Sequence, residues 1–292
     1  MAALFTCAAQ SGATTPRMTW PDLLNRPRPK PTRVVAYGTD PNQFAELWLP
    51  SGGGVHPVVA LIHGGCWQAS VADRGYMAYA AEDLRRRGLA VWNIEYRRLE
   101  QPGGGYPGTY QDVAAALDRL AVEAPRAHLD LSHLVVAGHS AGGHLALWAA
   151  GQPRLPRWSP LHQAKPQPVY AVVDIAGLPN LETDIHTACG ADVVRQMAGA
   201  PSPARPNVFA ETSPAHMLPL GVLQVVVNGS DDRTVPPAVS AAYVKAARAA
   251  GDKVIFHTPP GAHVEEITPG TPAWADASAA IVALAHGSAV DE

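Results

Sequence analysis

The sequence Val135-Val-Ala-Gly-His-Ser-Ala-Gly-Gly-His144 contains the pattern G-x-S-x-G between a β-branched pair and a run of helix-forming residues. A strand that passes directly into a helix must turn sharply, and the turn exposes the side chain at its tip in strained backbone geometry. In a chain with 26 glycines the five letters alone are weak, but this setting favours a functional turn. The stretch therefore predicts that Ser140 is a nucleophile and that Ala141 opens the following helix.

Strand-like and helix-like segments alternate on both sides of this stretch. Continuous apolar runs are typical of strands buried on both faces, and helical spacing of apolar residues indicates covering helices. Strands are predicted over 33–37, 44–49, 58–62, 89–96, 134–137, 169–175, 222–227 and 253–257, and helices over 72–87, 108–124, 237–250 and 272–286. The alternation predicts an α/β fold, with a mostly parallel sheet that is opened by an antiparallel hairpin and covered on both faces.

The chain is divided into an arm and one domain. Residues 1–31 are predicted to form an extended arm, because prolines are concentrated between Pro16 and Pro31. Residues 32–292 are predicted to be a single domain, in which insertions at about 152–168 and 177–218 form a small loop-rich cap at the carboxyl edge of the sheet.

The first ten residues resemble the end of a secretory signal peptide, but they lack a basic start and a long apolar core. Residues 1–16 are accordingly either a remnant of such a peptide or a short tail. We expect a cytoplasmic protein. The alternative is an exported or periplasmic one, if the true start lies upstream.

A nucleophilic serine needs a base and an acid that orients the base. Asp232 follows a predicted strand, three residues after Gly229, and is favoured over its neighbour Asp231, which is more typical of a turn or a helix cap. His263 lies in a loop beyond the next strand, whereas His257 lies within that strand and is expected to pack or cap. The chain order Ser, Asp, His agrees with the strand–turn–helix context of the serine.

The segment His63-Gly-Gly-Cys-Trp67 ends another buried strand. Consecutive glycines there free backbone N–H groups to bind an oxyanion, so Gly65 and Cys66 are candidate donors together with Ala141. Cys66 is expected to act through its backbone rather than its sulfur. The three cysteines are far apart and odd in number, so the sequence predicts neither a disulfide framework nor a metal cluster.

These four motifs resemble those of the α/β-hydrolase superfamily, and the resemblance covers nearly the whole chain. His63–Trp67, Gly138–Gly142, Gly229–Asp232 and Gly261–His263 are similar to the kynurenine formamidase (arylformamidase) and hormone-sensitive-lipase-like esterase branch. The resemblance implies that Ser140 is the nucleophile, His263 the general base and Asp232 the orienting acid. It also implies oxyanion donors from Gly65, Cys66 and Ala141.

The implied function is a serine hydrolase that cleaves small carboxylic esters through an acyl-enzyme. The alternative is an arylformamidase acting on N-formyl-kynurenine, and a more remote one is a non-catalytic binding member of the fold. Trp67 and Trp158 are candidate substrate-binding residues, although each would also suit core packing. Further candidate pocket walls are Leu178, Met197 and Met217.

Composition and motifs exclude several other classes. The net charge is −3 with no basic run, so no nucleic-acid partner is expected. No apolar run reaches the ~18 residues of a membrane span. No H-E-x-x-H, Cys/His cluster or glycine-rich phosphate motif is present, so neither a metal nor a cofactor is implied. The expected partner is a small ester or amide, and nothing in the sequence indicates an oligomeric state.

Overall fold

A computed structural model describes residues 17–184 and 189–290. Within these ranges eight strands form one sheet in the order β1-β2-β4-β3-β5-β6-β7-β8. The strands are β1 (Arg33–Ala36), β2 (Phe44–Trp48), β3 (His56–Ile62), β4 (Ala90–Ile94), β5 (Leu129–His139), β6 (Ala171–Ile175), β7 (Leu223–Val227) and β8 (Val254–His257).

Only β2 runs against the other strands of the sheet. β2 is antiparallel to both β1 and β4, and every other neighbouring pair is parallel. The predicted α/β fold, with its mostly parallel sheet and opening hairpin, is confirmed. Because parallel strands end at the same edge, the segments that follow β3, β5, β7 and β8 meet there.

Helices cover both faces of the sheet. They are α1 (Trp20–Leu24), α2 (Ala78–Arg86), α3 (Gly108–Ala127), α4 (Ala141–Gly151), α5 (Ala191–Ala198), α6 (Pro237–Ala249) and α7 (Pro272–Ala285). One apolar core joins the sheet to α3, α4 and α6, and a second joins it to α2 and α7. Helix α4 is buried along its whole length, as expected for a helix that is apolar on every side. Among these helices none combines the length and the apolar character that crossing a membrane requires.

The N-terminal arm differs from the extended segment that its prolines predicted. Thr19 and Asp22 form a capping box, Pro21 occupies the first turn, and the short helix α1 results. Leu23 on this helix is fully buried in the core beside α2 and α7. The arm is therefore attached to the domain at α1, while residues 1–16 lie outside the described ranges.

The second insertion contains structure that the sequence did not reveal. Helix α5 lies within it, and Cys189, just before that helix, forms a disulfide with Cys66. The prediction of no disulfide is wrong for this pair. Sequence spacing concealed it because the two cysteines are 123 residues apart, whereas the fold brings their Cα atoms to 5.2 Å.

Candidate active site

Ser140 lies at the turn between β5 and α4, with φ 57° and ψ −124°. This is an uncommon conformation for a residue with a Cβ, and it is the strained turn that the sequence predicts. A Cβ on Gly138 would collide with the carbonyl of Gly142, and a Cβ on Gly142 would collide with that of Ile62. The Ser140 N–H donates to the carbonyl of Ile175 at 2.8 Å, which fastens the turn to β6.

The structure brings His263 and Asp232 together after β8 and β7. His263 Nδ1 lies 2.7 Å from Asp232 Oδ2, and the other carboxylate oxygen accepts hydrogen bonds from the N–H groups of Thr234 and Val235. The rival Asp231 lies at the surface and pairs with Arg17. Because Nδ1 of His263 is committed to Asp232, Nε2 is the nitrogen left for proton transfer.

The surroundings of His263 change its basicity. Burial lowers its pKa, but the hydrogen bond that Nδ1 donates to Asp232 and the nearby carboxylate of Glu266 outweigh burial and raise the pKa to about 9. His257, which the sequence assigned to packing, lies away from this pair and contacts Asp276 at 3.2 Å.

The loop after β3 presents free backbone donors. Gly65, Cys66 and Trp67 adopt consecutive left-handed conformations, with φ of 94°, 52° and 53°. Among the described residues the N–H groups of Gly65 and Cys66 donate no hydrogen bond. Ala141 is the first residue of α4, where N–H groups also lack a helical partner. These are the three donors that the sequence proposed for an oxyanion.

His63 supports this loop. Its Nε2 lies 3.1 Å from a carboxylate oxygen of Glu95, and its ring stacks on Tyr96 at 4.3 Å between centroids. The hydroxyl of Tyr96 donates to the carbonyl of His63 at 2.9 Å. His63 thus holds the end of β3 in place and does not line the cavity beside Ser140.

Sequence reasoning missed three buried residues around the histidine: Tyr76, His139 and Glu266. His139 Nε2 lies 3.0 Å from the carbonyl oxygen of His263, so this nitrogen carries the proton and donates it. Nδ1 is then the acceptor that faces the hydroxyl of Tyr76 at 3.4 Å, and that hydroxyl oxygen accepts from the Gly64 N–H. The only sequence signal for this link was the position of His139 beside the serine.

A cavity of about 520 Å³ opens beside Ser140 and His263. Its walls are mostly apolar and come from the arm and from the loop after β3. The lining residues away from the two catalytic candidates are Trp20, Leu24, Arg28, Gly65, Cys66, Ala69, Val71, Ala72, Asp73, Tyr76, His139 and Thr234.

The predicted substrate-binding tryptophans lie elsewhere. Trp67 is fully buried, with its ring edge-on to His144 of α4 at 5.2 Å, and Trp158 is 55% exposed on the first insertion. Leu178, Met197 and Met217 are buried in the core. None of the five lines the cavity, so these predictions of pocket walls are corrected. For Trp67, its position beside Gly65 and Cys66 indicated the right loop, but the direction of its side chain depends on packing.

The ligand atoms of His139, His263 and Glu266 lie within 4.8 Å of one another, the one such grouping found in the described ranges. Both histidines already use the facing nitrogens in hydrogen bonds, to the carbonyl of His263 and to Asp232. The geometry therefore fits a hydrogen-bonded cluster around a catalytic histidine better than a set of free ligands.

Fold and site together define the class of protein: the chain is an α/β-hydrolase. A serine at the strand–helix turn and a histidine–aspartate pair at the same sheet edge are its defining parts. The model of the BD-FAE family matches residues 46–246, which is more than half of the chain. The chain therefore belongs to the BD-FAE family.

Two relatives from Mycobacterium tuberculosis are similar in sequence. Esterase LipC is 29% identical over 228 residues, which are 74% of this chain and 55% of LipC. The probable carboxylic ester hydrolase LipM is 27% identical over 187 residues, 63% of this chain and 43% of LipM. The chain thus spans about half the length of these relatives. Their descriptions indicate a hydrolase.

Two solved structures illustrate the shared fold. Esterase B from Lactobacillus rhamnosis superimposes with a TM-score of 0.76 at 21% identity, covering 89% of each chain. A truncated carbohydrate esterase from gut microbiota gives a TM-score of 0.70 at 21% identity, covering 88% of this chain and 98% of that one.

Proposed function

We propose that this protein is a serine esterase that cleaves small carboxylic esters through an acyl-enzyme formed on Ser140. The observation that carries the proposal is the 2.7 Å hydrogen bond between His263 and Asp232, with His263 and Ser140 in the wall of one cavity. The esterase descriptions of the relatives support the choice of an ester.

In the proposed reaction His263 acts in its neutral form, so with a pKa of about 9 the rate should rise towards that pH. Nε2 of the neutral ring takes the hydroxyl proton of Ser140 as the serine oxygen attacks the ester carbonyl. The N–H groups of Gly65, Cys66 and Ala141 stabilise the oxyanion. The intermediate collapses and expels the alcohol, which receives the proton from His263. A water molecule then gives its proton to His263, attacks the acyl-enzyme and releases the acid, and the proton returns to Ser140.

The cavity supports a small substrate. Its volume of about 520 Å³ lies within the range of ordinary small-molecule pockets, and side chains such as Trp20, Leu24 and Val71 offer it apolar walls. Among the structural neighbours, one esterase is described with butyrate bound and another with a tributyrin phosphonate. Short acyl esters are therefore the substrates to try first.

The test compares kcat/KM for p-nitrophenyl esters from acetate to octanoate in the wild type and in Ser140→Ala. Loss of the nucleophile should reduce kcat by about 10³-fold or more while substrate binding changes little. A serine-directed phosphonate should label the wild type at Ser140 and leave the variant unlabelled. Equal turnover by both proteins would refute the assignment of Ser140, and an unlabelled wild type would favour a non-catalytic member of the fold.

N-formyl-L-kynurenine, assayed on the same preparation, tests the formamidase alternative. Formamide cleavage would use the same serine, histidine and donors. Trp67, which the sequence made a candidate substrate-binding residue, is fully buried and does not line the cavity, so it cannot contact an aryl group there. A kcat/KM for the formamide well above that for every ester would nevertheless replace esterase by formamidase.

We also propose that the protein works in an oxidising compartment, the exported alternative of the sequence analysis. The supporting observation is the disulfide between Cys66 and Cys189, a bond that persists mainly outside the cytoplasm. Alkylation of the protein taken from its native source tests this. Cys66 and Cys189 should not react until a reductant is added. Alkylation of Cys66 and Cys189 in the native protein without reductant would instead support the cytoplasmic alternative.

A further inference from the structure

Glu266 is a buried carboxylate beside the histidine. It is fully inaccessible to solvent and lies on a short 3₁₀ turn, Glu265–Ile267, just after His263. Its Oε1 accepts the N–H of Gly229 at 2.5 Å. Its Oε2 lies 3.5 Å from Nδ1 of His263 and 3.6 Å from Nε2 of His139.

The second oxygen of Glu266 is the feature that needs an explanation. Among the residues that the structure describes, buried Oε2 has no hydrogen-bond partner, because the proton on Nδ1 of His263 is directed at Asp232. A buried carboxylate is costly unless opposite charge or hydrogen bonds compensate it. The bond to Gly229 uses one oxygen only, and a neutral glutamine would accept it equally well. A negative charge at this place is therefore not required by the turn.

We propose that Glu266 is a positioning residue, a second carboxylate that acts with Asp232 to stabilise the charged form of His263 during ester cleavage; this inference rests on the proposed function. When Nε2 takes the serine proton, positive charge spreads over the imidazole ring. Asp232 stabilises that charge through the hydrogen bond at Nδ1. Glu266 stabilises it by electrostatic attraction, because its Oε2 lies 3.5 Å from Nδ1. Water is excluded from this contact, so the attraction is weakly screened.

His139 does not cancel the charge of Glu266. Burial and the neighbouring His263 lower the pKa of His139, so it stays neutral. Besides Asp232, Glu266 and His139, the cavity wall next to His263 carries the charged groups Arg28 and Asp73 and the phenol of Tyr76. Helix α1 adds the uncharged side chains of Trp20 and Leu24 to this wall, and the centroid of the Trp20 ring is 6.3 Å from that of His263.

The test uses Glu266→Gln, Asp232→Asn and the double variant, with Glu265→Gln as the matched control. Glu265 is the adjacent carboxylate on the same turn, and it accepts the Ala262 N–H instead of facing the histidine. Two quantities are measured: the dependence of kcat/KM for p-nitrophenyl acetate on pH, and the titration of His263 in the resting protein by NMR.

Glu266→Gln should lower the pKa of His263 by about one unit in both measurements. Above the pKa of His263, where the ring is neutral in both proteins, it should also reduce kcat about tenfold with little change in KM, because the charge acts mainly in the transition state. Glu265→Gln should behave as the wild type. Asp232→Asn should keep a residual rate that the addition of Glu266→Gln lowers at least about tenfold further, because Glu266 is then the remaining carboxylate at the histidine.

A His263 titration that Glu266→Gln leaves unmoved would overturn the proposal, even if the melting temperature fell, since a purely structural role predicts that result. If the glutamine variant does not fold, Glu266→Asp retains the charge at a greater distance, and its His263 titration must still shift downward. The NMR titration requires no turnover. Absence of ester hydrolysis would therefore refute the proposed function while the role of Glu266 is still decided.

Discussion

The N-terminal arm and the two insertions both lie outside the strand–helix alternation, yet they contribute differently to the cavity beside Ser140. The arm supplies Trp20, Leu24 and Arg28 to its wall. No described residue of the insertions lines the cavity, and the second insertion reaches the site through the bond from Cys189 to Cys66. The predicted arm therefore lines the cavity, whereas the second insertion, predicted to be part of a cap, is joined to the cavity wall by this disulfide.

The insertion is the more firmly held of the two. Arg205 and Glu211 form a buried ion pair within it, the hydroxyl of Tyr106 donates to Glu211 at 2.6 Å, and the Arg205 guanidinium lies 3.8 Å from the centre of the Tyr106 ring. The arm is held by buried Leu23 and by contacts nearer the surface. Regions with few buried contacts open more readily, so we expect the arm to detach from the cavity more easily than the insertion does.

The largest effect is expected from Cys189→Ser. Releasing a link between residues 123 positions apart should lower the free energy of unfolding by about 4 kcal/mol. We also expect kcat to fall about tenfold, because Cys66 offers an oxyanion donor. Urea unfolding and ester kinetics measure both. Reductant should reproduce the effect in the wild type and add nothing in the variant; a variant as stable as the wild type would mean that the insertion is not braced by this bond.

The second-largest effect is the pH dependence of stability that Asp174, just before the second insertion, should cause. Asp174 is the penultimate residue of β6 and lies opposite Gly138 of β5, and burial raises its pKa from 3.8 to about 8. The unfolded chain releases this proton near pH 3.8 and the folded chain retains it until about pH 8, so the free energy of unfolding falls as pH rises between those values.

Asp174→Asn should remove much of this pH dependence. Between pH 3.8 and about 8, the free energy of unfolding should fall by at least about 2 kcal/mol less in the variant than in the wild type. Thermal unfolding in a series of buffers measures it. The pKa of His263, raised from 6.5 to about 9, should leave a smaller decline above pH 6.5 in both proteins. If wild type and variant lose stability in parallel over the whole interval, Asp174 is not the titrating group.

On the arm side, Trp20→Ala should affect binding more than folding. The Trp20 ring lies against Tyr76, with centroids 5.5 Å apart, and forms part of the wall above His263. Removing it should raise KM for short esters about tenfold, equivalent to ~1.4 kcal/mol. Trp158→Ala on the first insertion is the matched control and should leave KM unchanged. The reverse pattern would mean that the insertion, and not the arm, binds substrate.

The smallest effect is expected from Arg17→Ala. Arg17 pairs with Asp231 at 2.7 Å, and both side chains are 47% exposed, so the pair should contribute less than about 1 kcal/mol. Asp231→Asn should match it in urea unfolding and should leave kcat unchanged, in contrast to Asp232→Asn. A larger loss of stability would contradict the view that the arm is weakly held.

The sequence predicted the fold class and the positions that come together at one sheet edge. Ser140 was recognisable because its requirements are local: a strand before it, a helix after it and glycines on either side. Asp232 and His263 could be chosen because each follows a strand, and the ends of parallel strands necessarily meet. Their contact at 2.7 Å follows from that topology.

Contacts between parts of the chain with no shared pattern were decided by the tertiary structure alone. The disulfide joins residues 123 positions apart, α1 brings Trp20 of the arm next to the histidine, and the turn after His263 brings Oε2 of Glu266 to 3.5 Å from Nδ1 of that histidine. Trp67 follows the oxyanion motif directly, yet its ring packs on His144 behind the turn. Periodicity and turn chemistry determine where strands and helices begin and end. Which residues line the pocket, and how closely Glu266 approaches His263, depend on side-chain directions, which only the packed core determines.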